Sequence, residues 1–380
     1  MNTSANHRHA VWKKARTRCR NGEPSASARL KEKLRGLFAT VVSPAPGIQV
    51  QIDKCPIPIV WLDTSIIAYL TNLRLGKLND DIQKKRVSPL RKWIYDLTRA
   101  GKLLCPKAGQ PNEIWRERSD FLATINELSL GISTRPRVAI EEAQSQQLMS
   151  ACITGTHFVT FPYTDAFIDD PVYRLERARL SNYIVAVDTP PTIERIREIK
   201  SQHATILKDW ERLRETCVKR RVTFDQQLEV ERRAGMTTTT AIARDCFAKL
   251  VRGEKLTAEE IPSFLYVLGL IQTWDRLGGK PKGPKGLVRF LNSPYYQIAP
   301  SVSISSALVA KLVTEKGRDI QTGDAMDVEH ISSMLPYANL MIVDKPMKSI
   351  VRGLSLQGNR KVRRRAPSVG SLRPSRPAGV

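Results

Sequence analysis

The chain has 380 residues, 41% of them hydrophobic, enough for a sizeable buried core. Its 61 Lys and Arg outnumber 37 Asp and Glu for a formal net charge of +24, a balance that favours anionic partners such as nucleic acid or acidic lipid. Six cysteines without a CxxC or Cys/His cluster argue against a zinc site or a disulfide framework, and no apolar run reaches the eighteen or so residues of a membrane span.

The start, MNTSANHRHAVWKKARTRCR, lacks the apolar stretch of a signal peptide, so a reduced, cytoplasmic setting away from membranes is expected. Residues 1–50 mix Ser, Pro and Arg, include one helical possibility at ARLKEKLRGLFATVV, and read as a basic, largely disordered arm. From Ile57, PIPIVWLDTSIIAYLTNL is a short apolar run ending at Asp63, followed by Ile66, Ile67 and Leu70 at helical spacing: a strand feeding a helix. SPLRKWIYDLTRAGKLLCP then predicts a helix facing inward through Leu90, Trp93, Ile94 and Leu97, and a brief strand at KLLCP. Another helix opens near QPNEIWRERSDFLATINEL, and this alternation points to a parallel α/β sheet.

Residues 140–290 look different, mostly helical and rich in charge, and are expected to form a helical insertion. In TIERIREIKSQHATILKDWERLRETCVKRR, Ile193, Ile196, Ile199, Ile206, Trp210, Leu213 and Cys217 make one apolar stripe. TTTT and GGKPKGPKG are expected to interrupt the helices; the latter lacks the GK[ST] ending of a phosphate-binding loop and reads as a linker. SVSISSALVAKLVTEKGRDIQTGDAMDVEH predicts helix, turn, helix, and ANLMIVD a strand buried on both faces. Residues 351–380, with eight basic side chains and no acidic one, read as a disordered tail.

The acids are the informative residues. Asp63 and Asp344 each follow a predicted strand, where Asp is an ordinary helix cap or turn residue. Asp324 and Asp327 are one helical turn apart and suit a capping box, and Glu113 suits a first helical turn. Taken together they read differently: strand ends and helix starts on one rim are where open parallel sheets place ligands. Carboxylates converging there repel one another unless a cation intervenes, and an oxygen-only set suits Mg²⁺ or Mn²⁺.

These residues resemble the PIN-domain nuclease family. The resemblance rests on IVWLDTSII with Asp63, PNEIWRE with Glu113, and GDAMDVEHISSMLPYANLMIVDKPM with Asp324, Asp327 and Asp344, the last block running through Leu-Pro-Tyr into a strand ending in Asp. It departs from the family in the long segment between Glu113 and Asp324, and in Asn339 where relatives often carry an acid. The resemblance implies a Rossmann-like three-layer α/β/α domain over residues 57–350 and metal-dependent cleavage of a phosphodiester, usually in RNA, by an endonuclease. It implies Asp63, Asp327 and Asp344 as metal ligands, Glu113 and Asp324 in support, and Thr64 or Ser65 bonded to a ligand carboxylate or phosphate oxygen. His330, one turn beyond Asp327, is expected to be structural rather than catalytic.

Basic side chains would bring RNA to such a site: Arg195, Arg197, Lys200, Lys208, Arg212 and Arg214 on the long helix, and Arg360, Lys361, Arg363, Arg364 and Arg365 in the tail. Two other readings stand beside the nuclease: a nucleic-acid-binding protein on the same scaffold that does not cut, and a partner-binding protein whose acids are only caps.

Overall fold

The computed structural model describes residues 47–78, 81–108, 118–180, 193–258 and 260–354. Residues 1–46 of the predicted arm, Glu113 and the tail arginines Arg363, Arg364 and Arg365 lie outside them, whereas the last two residues of that arm, Gln49 and Val50, are not disordered but begin a strand.

The described residues are mostly helical, with two small parallel two-stranded sheets. Strand β1 (Gln49–Ile52) pairs with β3 (Phe158–Phe161), and β2 (Val60–Leu62) pairs with β4 (Leu340–Ile342) in the register Val60↔Leu340, Trp61↔Met341 and Leu62↔Ile342. Isolated parallel bridges continue sideways from β2, Ile59 to Leu104 and then Lys107 to Ser133. The expected strand at KLLCP is this single bridge.

Helix α1 (Thr64–Arg74) follows β2 because Asp63 ends the strand and caps the helix; α2 (Asp81–Arg99) and α3 (Arg118–Ser129) pack beside it. All three residues of β2 are buried, with Trp61 fully enclosed, as their unbroken apolar run requires. Strand β4 does not match its expectation: Leu340 is 46% exposed and the next two residues are only partly covered, so one side of this strand meets solvent.

Helices α4 (Arg137–Thr154), α5 (Pro171–Leu180), α6 (Ile193–Lys219), α7 (Phe224–Val251), α8 (Glu260–Arg276), α9 (Pro284–Leu291) and α10 (Pro294–Gln297) fill most of the predicted insertion. Strands β1 and β3 were not anticipated, because QVQI follows a Pro/Gly stretch and FVTF is too short to separate from the flanking helical pattern. The threonine run is also a surprise: TTTT lies inside α7, with Thr237 and Thr239 bonding their hydroxyls back to the carbonyls of Arg233 and Gly235. The first six residues of GGKPKGPKG do form a loop, held by Trp274 Nε1 donating to the Pro281 carbonyl at 2.9 Å, and the closing Pro-Lys-Gly opens α9.

Helix α11 (Pro300–Thr314) runs through the centre, packed on α6, α7, α12 (Asp324–Met334) and α13 (Lys345–Gly353). On α6, the stripe residues Ile206, Trp210 and Cys217 are buried in this core. Gln144 on α4 locks the helices to the Leu-Pro-Tyr turn: its amide donates to Tyr337 Oη at 3.0 Å and its carbonyl accepts from Ser301 N and Oγ.

Candidate functional site

Parallel pairing of β2 with β4 puts the ends of both strands on one rim, and the Asp63 amide continues the ladder by donating to the Ile342 carbonyl at 2.9 Å. Asn339 fixes that register from the other end of β4. Its amide donates to the Ile59 carbonyl and its side-chain Oδ1 accepts from Ile59 N, both at 2.8 Å, as a strand residue would. The residue that departs from the acid of the family pattern thus has a structural duty.

Asp63 is buried, and its Oδ2 accepts from Ser65 N at 3.3 Å and from the Ser65 hydroxyl. Ser65 therefore meets a predicted ligand carboxylate. Thr64 does not: its Oγ1 is buried without a hydrogen-bond partner, one residue from Asp63. Such an orphan calls for an absent water, ion or ligand oxygen. Asp344 caps α13 by accepting from Met347 N through Oδ1 at 2.8 Å.

Asp324 does not cap α12. Gly323 holds that position, and Asp324, 1% exposed, is the first helical residue. Arg318 grips both its oxygens, Nη1 to Oδ2 at 2.8 Å and Nη2 to Oδ1 at 2.5 Å, and Gln321 N donates to Oδ2 at 2.7 Å. The predicted supporting ligand is therefore an ion-pair partner with its oxygens engaged.

Asp327, one turn along, has no such counter-charge against it. Burial first, then the carboxylates of Asp63, Asp344 and Asp324, push its carboxyl up to about 8, while Arg318 opposes them. The structure thus brings Asp63, Asp324, Asp327 and Asp344 into one electrostatic neighbourhood. Arg318, missed in the sequence, belongs there too: its guanidinium is held above the usual arginine range mainly by the bond to Asp324, with added pull from Asp344 and Asp327. Its only sequence signal is an arginine six residues ahead of the acids.

The donors are all oxygen, which fits a hard divalent ion, and the Thr64 orphan and the repelled Asp327 carboxyl fit a site whose charge balance needs a cation. Among the described residues no three His, Cys, Asp or Glu side chains stand as a ready-made metal set. Two of these carboxylates are turned toward helix caps and one toward Arg318, as mutual repulsion directs.

His330 is buried against Trp61, ring centroids 5.6 Å apart, and burial drives its imidazole down to about 4, so it is neutral at ordinary pH. On α6, Arg197 is exposed, whereas Arg214 reaches Asp319 at 3.8 Å, beside the Arg318 loop. No described helix is long and apolar enough to cross a membrane. No family model, curated protein or solved structure matches this chain.

Proposed function

We propose that the protein is a divalent-metal-dependent nuclease, an endoribonuclease built on a Rossmann-like, PIN-like α/β/α scaffold. The observation that carries this reading is Asp327, a carboxyl raised to about 8 between the acids that end two neighbouring parallel strands. A cap needs no such crowding. The scaffold reading is supported by the run of parallel pairings from β4 to β2 to Leu104, and from Lys107 to Ser133.

In this reading Asp63, Asp327 and Asp344 hold Mg²⁺ or Mn²⁺. When bound, the metal supplies a Lewis acid that polarises the phosphodiester and lowers the pKa of a water. The chain's own residues do the rest. Asp324 stays bound to Arg318, keeping that guanidinium beside the site with its charge partly compensated, where it favours a phosphate without displacing the metal. Ser65 orients Asp63, and the Thr64 hydroxyl is left to donate to a phosphate or water oxygen. Glu113 keeps the supporting role that the family resemblance implies, and the arginines of the tail keep the role of gripping phosphates in a salt-dependent way.

The test is cleavage of labelled RNA and DNA by the purified chain in Mg²⁺, Mn²⁺ or chelator, beside Asp327→Asn. Metal-stimulated cutting of RNA, lost in the variant, is expected. Wild type and variant behaving alike under every condition would overturn the assignment.

A further inference from the structure

On the far side of α12 from Asp327, helices α4, α6, α7, α8, α10, α11 and α12 line a cleft of about 140 Å³. Its buried acids are engaged within the protein: Glu141, from α4, accepts from Arg137 Nε at 2.6 Å, and Glu231, from α7, accepts from the Gln227 amide at 2.6 Å. Burial pushes the carboxyl of Glu329, from α12, up toward its neutral form, against the pull of Arg137. A neutral carboxyl donates a hydrogen bond as well as accepting one.

Two further features point to a ligand that is uncharged and aromatic. Ser263, on α8, is 3% exposed, lines the cleft, and its Oγ has no hydrogen-bond partner. Such a buried orphan calls for a partner from outside the chain. One water would satisfy the hydroxyl but not the walls beside it, where Trp210, Tyr266 and Tyr296 favour another ring in offset or edgewise contact. Gly235, a poor helix residue inside α7, lets Tyr296 Oη come within 3.0 Å of where a Cβ would stand, so this wall is built at a cost to the helix. A cavity of roughly 150 Å³ holds a benzene ring, so the space suits one small planar ring system. Nucleobases are such rings, with donors and acceptors around their edges, and a chain of net charge +24 draws nucleic acid and its fragments toward it.

We propose that this cleft binds a nucleobase, its face against Trp210 and its polar edge bonded to Ser263 Oγ and the Glu329 carboxyl. The base belongs either to a free nucleoside or to an unstacked position in an RNA strand. The second source rests on the proposed function; the site itself does not.

The experiment is titration of the full chain with adenosine and with uridine, by calorimetry and thermal unfolding, beside ribose, which lacks the ring, and phenol, which lacks the base edge. Saturable binding and a higher unfolding midpoint are expected with at least one nucleoside, with no binding of ribose and at least tenfold weaker binding of phenol. Ser263→Ala should weaken the nucleoside about fivefold, the scale of one lost hydrogen bond, yet leave the unliganded chain as stable as wild type, because the hydroxyl it removes is unpaired. Trp210→Leu should weaken it about tenfold or more, the scale of a lost base stack, and Ser263→Ala carries the test where that variant fails to fold. Asp327→Asn should bind the nucleoside as wild type does. Competition by a short RNA and by its abasic counterpart separates the two sources: displacement by the RNA alone assigns the base to a strand, and displacement by neither assigns it to a free nucleoside. No binding of either nucleoside, phenol binding as tightly, equal binding by wild type and Ser263→Ala, loss in Asp327→Asn, or displacement by both oligomers alike would each overturn the proposal. None of these readouts involves cleavage, so failure of this site and failure of the nuclease reading are told apart.

Discussion

The rim and the cleft lie on opposite sides of α12, and both gather carboxylates, but they satisfy them differently. Glu141 and Glu231 in the cleft bond side chains one turn away on their own helices, Arg137 and Gln227. At the rim, Asp63 and Asp344 lean on backbone N–H groups of the helices they begin, and only Asp324 has a cation of its own. Side-chain pairs at i,i+4 come with a helix; rim acids come together only once distant strands pair. The difference predicts that rim substitutions act strongly and through charge, and that metal changes their size.

The largest effect should be that of pH on the metal-free chain. Burial and the neighbouring acids push the Asp327 carboxyl up to about 8 in the folded protein, from an ordinary aspartate value near 3.8, so the native state binds the extra proton between those values. Its contribution to stability is full below pH about 4, declines as pH rises toward 8, and is flat beyond; summed over that window the loss is on the order of several kcal/mol. Urea unfolding in chelator at a series of pH values should give this slope in wild type, and Asp327→Asn should flatten it. Equal slopes would mean that the rim acids do not crowd Asp327.

Arg318→Ala should come next. It leaves the Asp324 carboxylate, 1% exposed, without its counter-charge, a defect that typically costs about 3–5 kcal/mol. The double variant Arg318→Ala/Asp324→Asn should recover much of that, since no buried charge is then left unpaired. A smaller loss, about 1–3 kcal/mol, is expected for Asn339→Ala, which strands the Ile59 amide between β2 and β4. Asn339→Asp keeps the acceptor at Oδ1 and should be milder, a contrast that denaturant unfolding resolves.

These residues also mark how far the sequence could be read. Asp63, Asp327 and Asp344 were legible because strand ends and helix starts are local patterns, and their convergence follows from parallel pairing. Asp324 was legible as an acid but not as Arg318's partner, because that contact depends on how the loop of residues 315–323 folds back onto α12. The exposed side of β4 was misread since an unbroken apolar run looks the same whether one face or two are covered. TTTT stays inside α7 against its low helical propensity, with Thr238 buried, because tertiary packing overrides the local signal. The cleft had no sequence signature at all, being a product of seven helices.

Asp344→Ala is expected to have the smallest effect on stability and separates the two duties of the rim most directly. In chelator it removes the bond from Met347 N to Oδ1 and should cost about 1 kcal/mol, as a lost helix cap does. That figure holds whether or not the residue binds metal. Adding Mg²⁺ then divides the readings: a ligand that binds only the folded chain adds RT ln(1 + [L]/Kd) to its stability, so wild type should gain with Mg²⁺ while Asp344→Ala gains less and needs more metal to do so. Asp344→Ser restores a cap without a carboxylate, and should recover the loss seen in chelator without recovering the response to Mg²⁺. If Ser restores both, or if wild type and Asp344→Ala rise in parallel with Mg²⁺, Asp344 is a cap and nothing more.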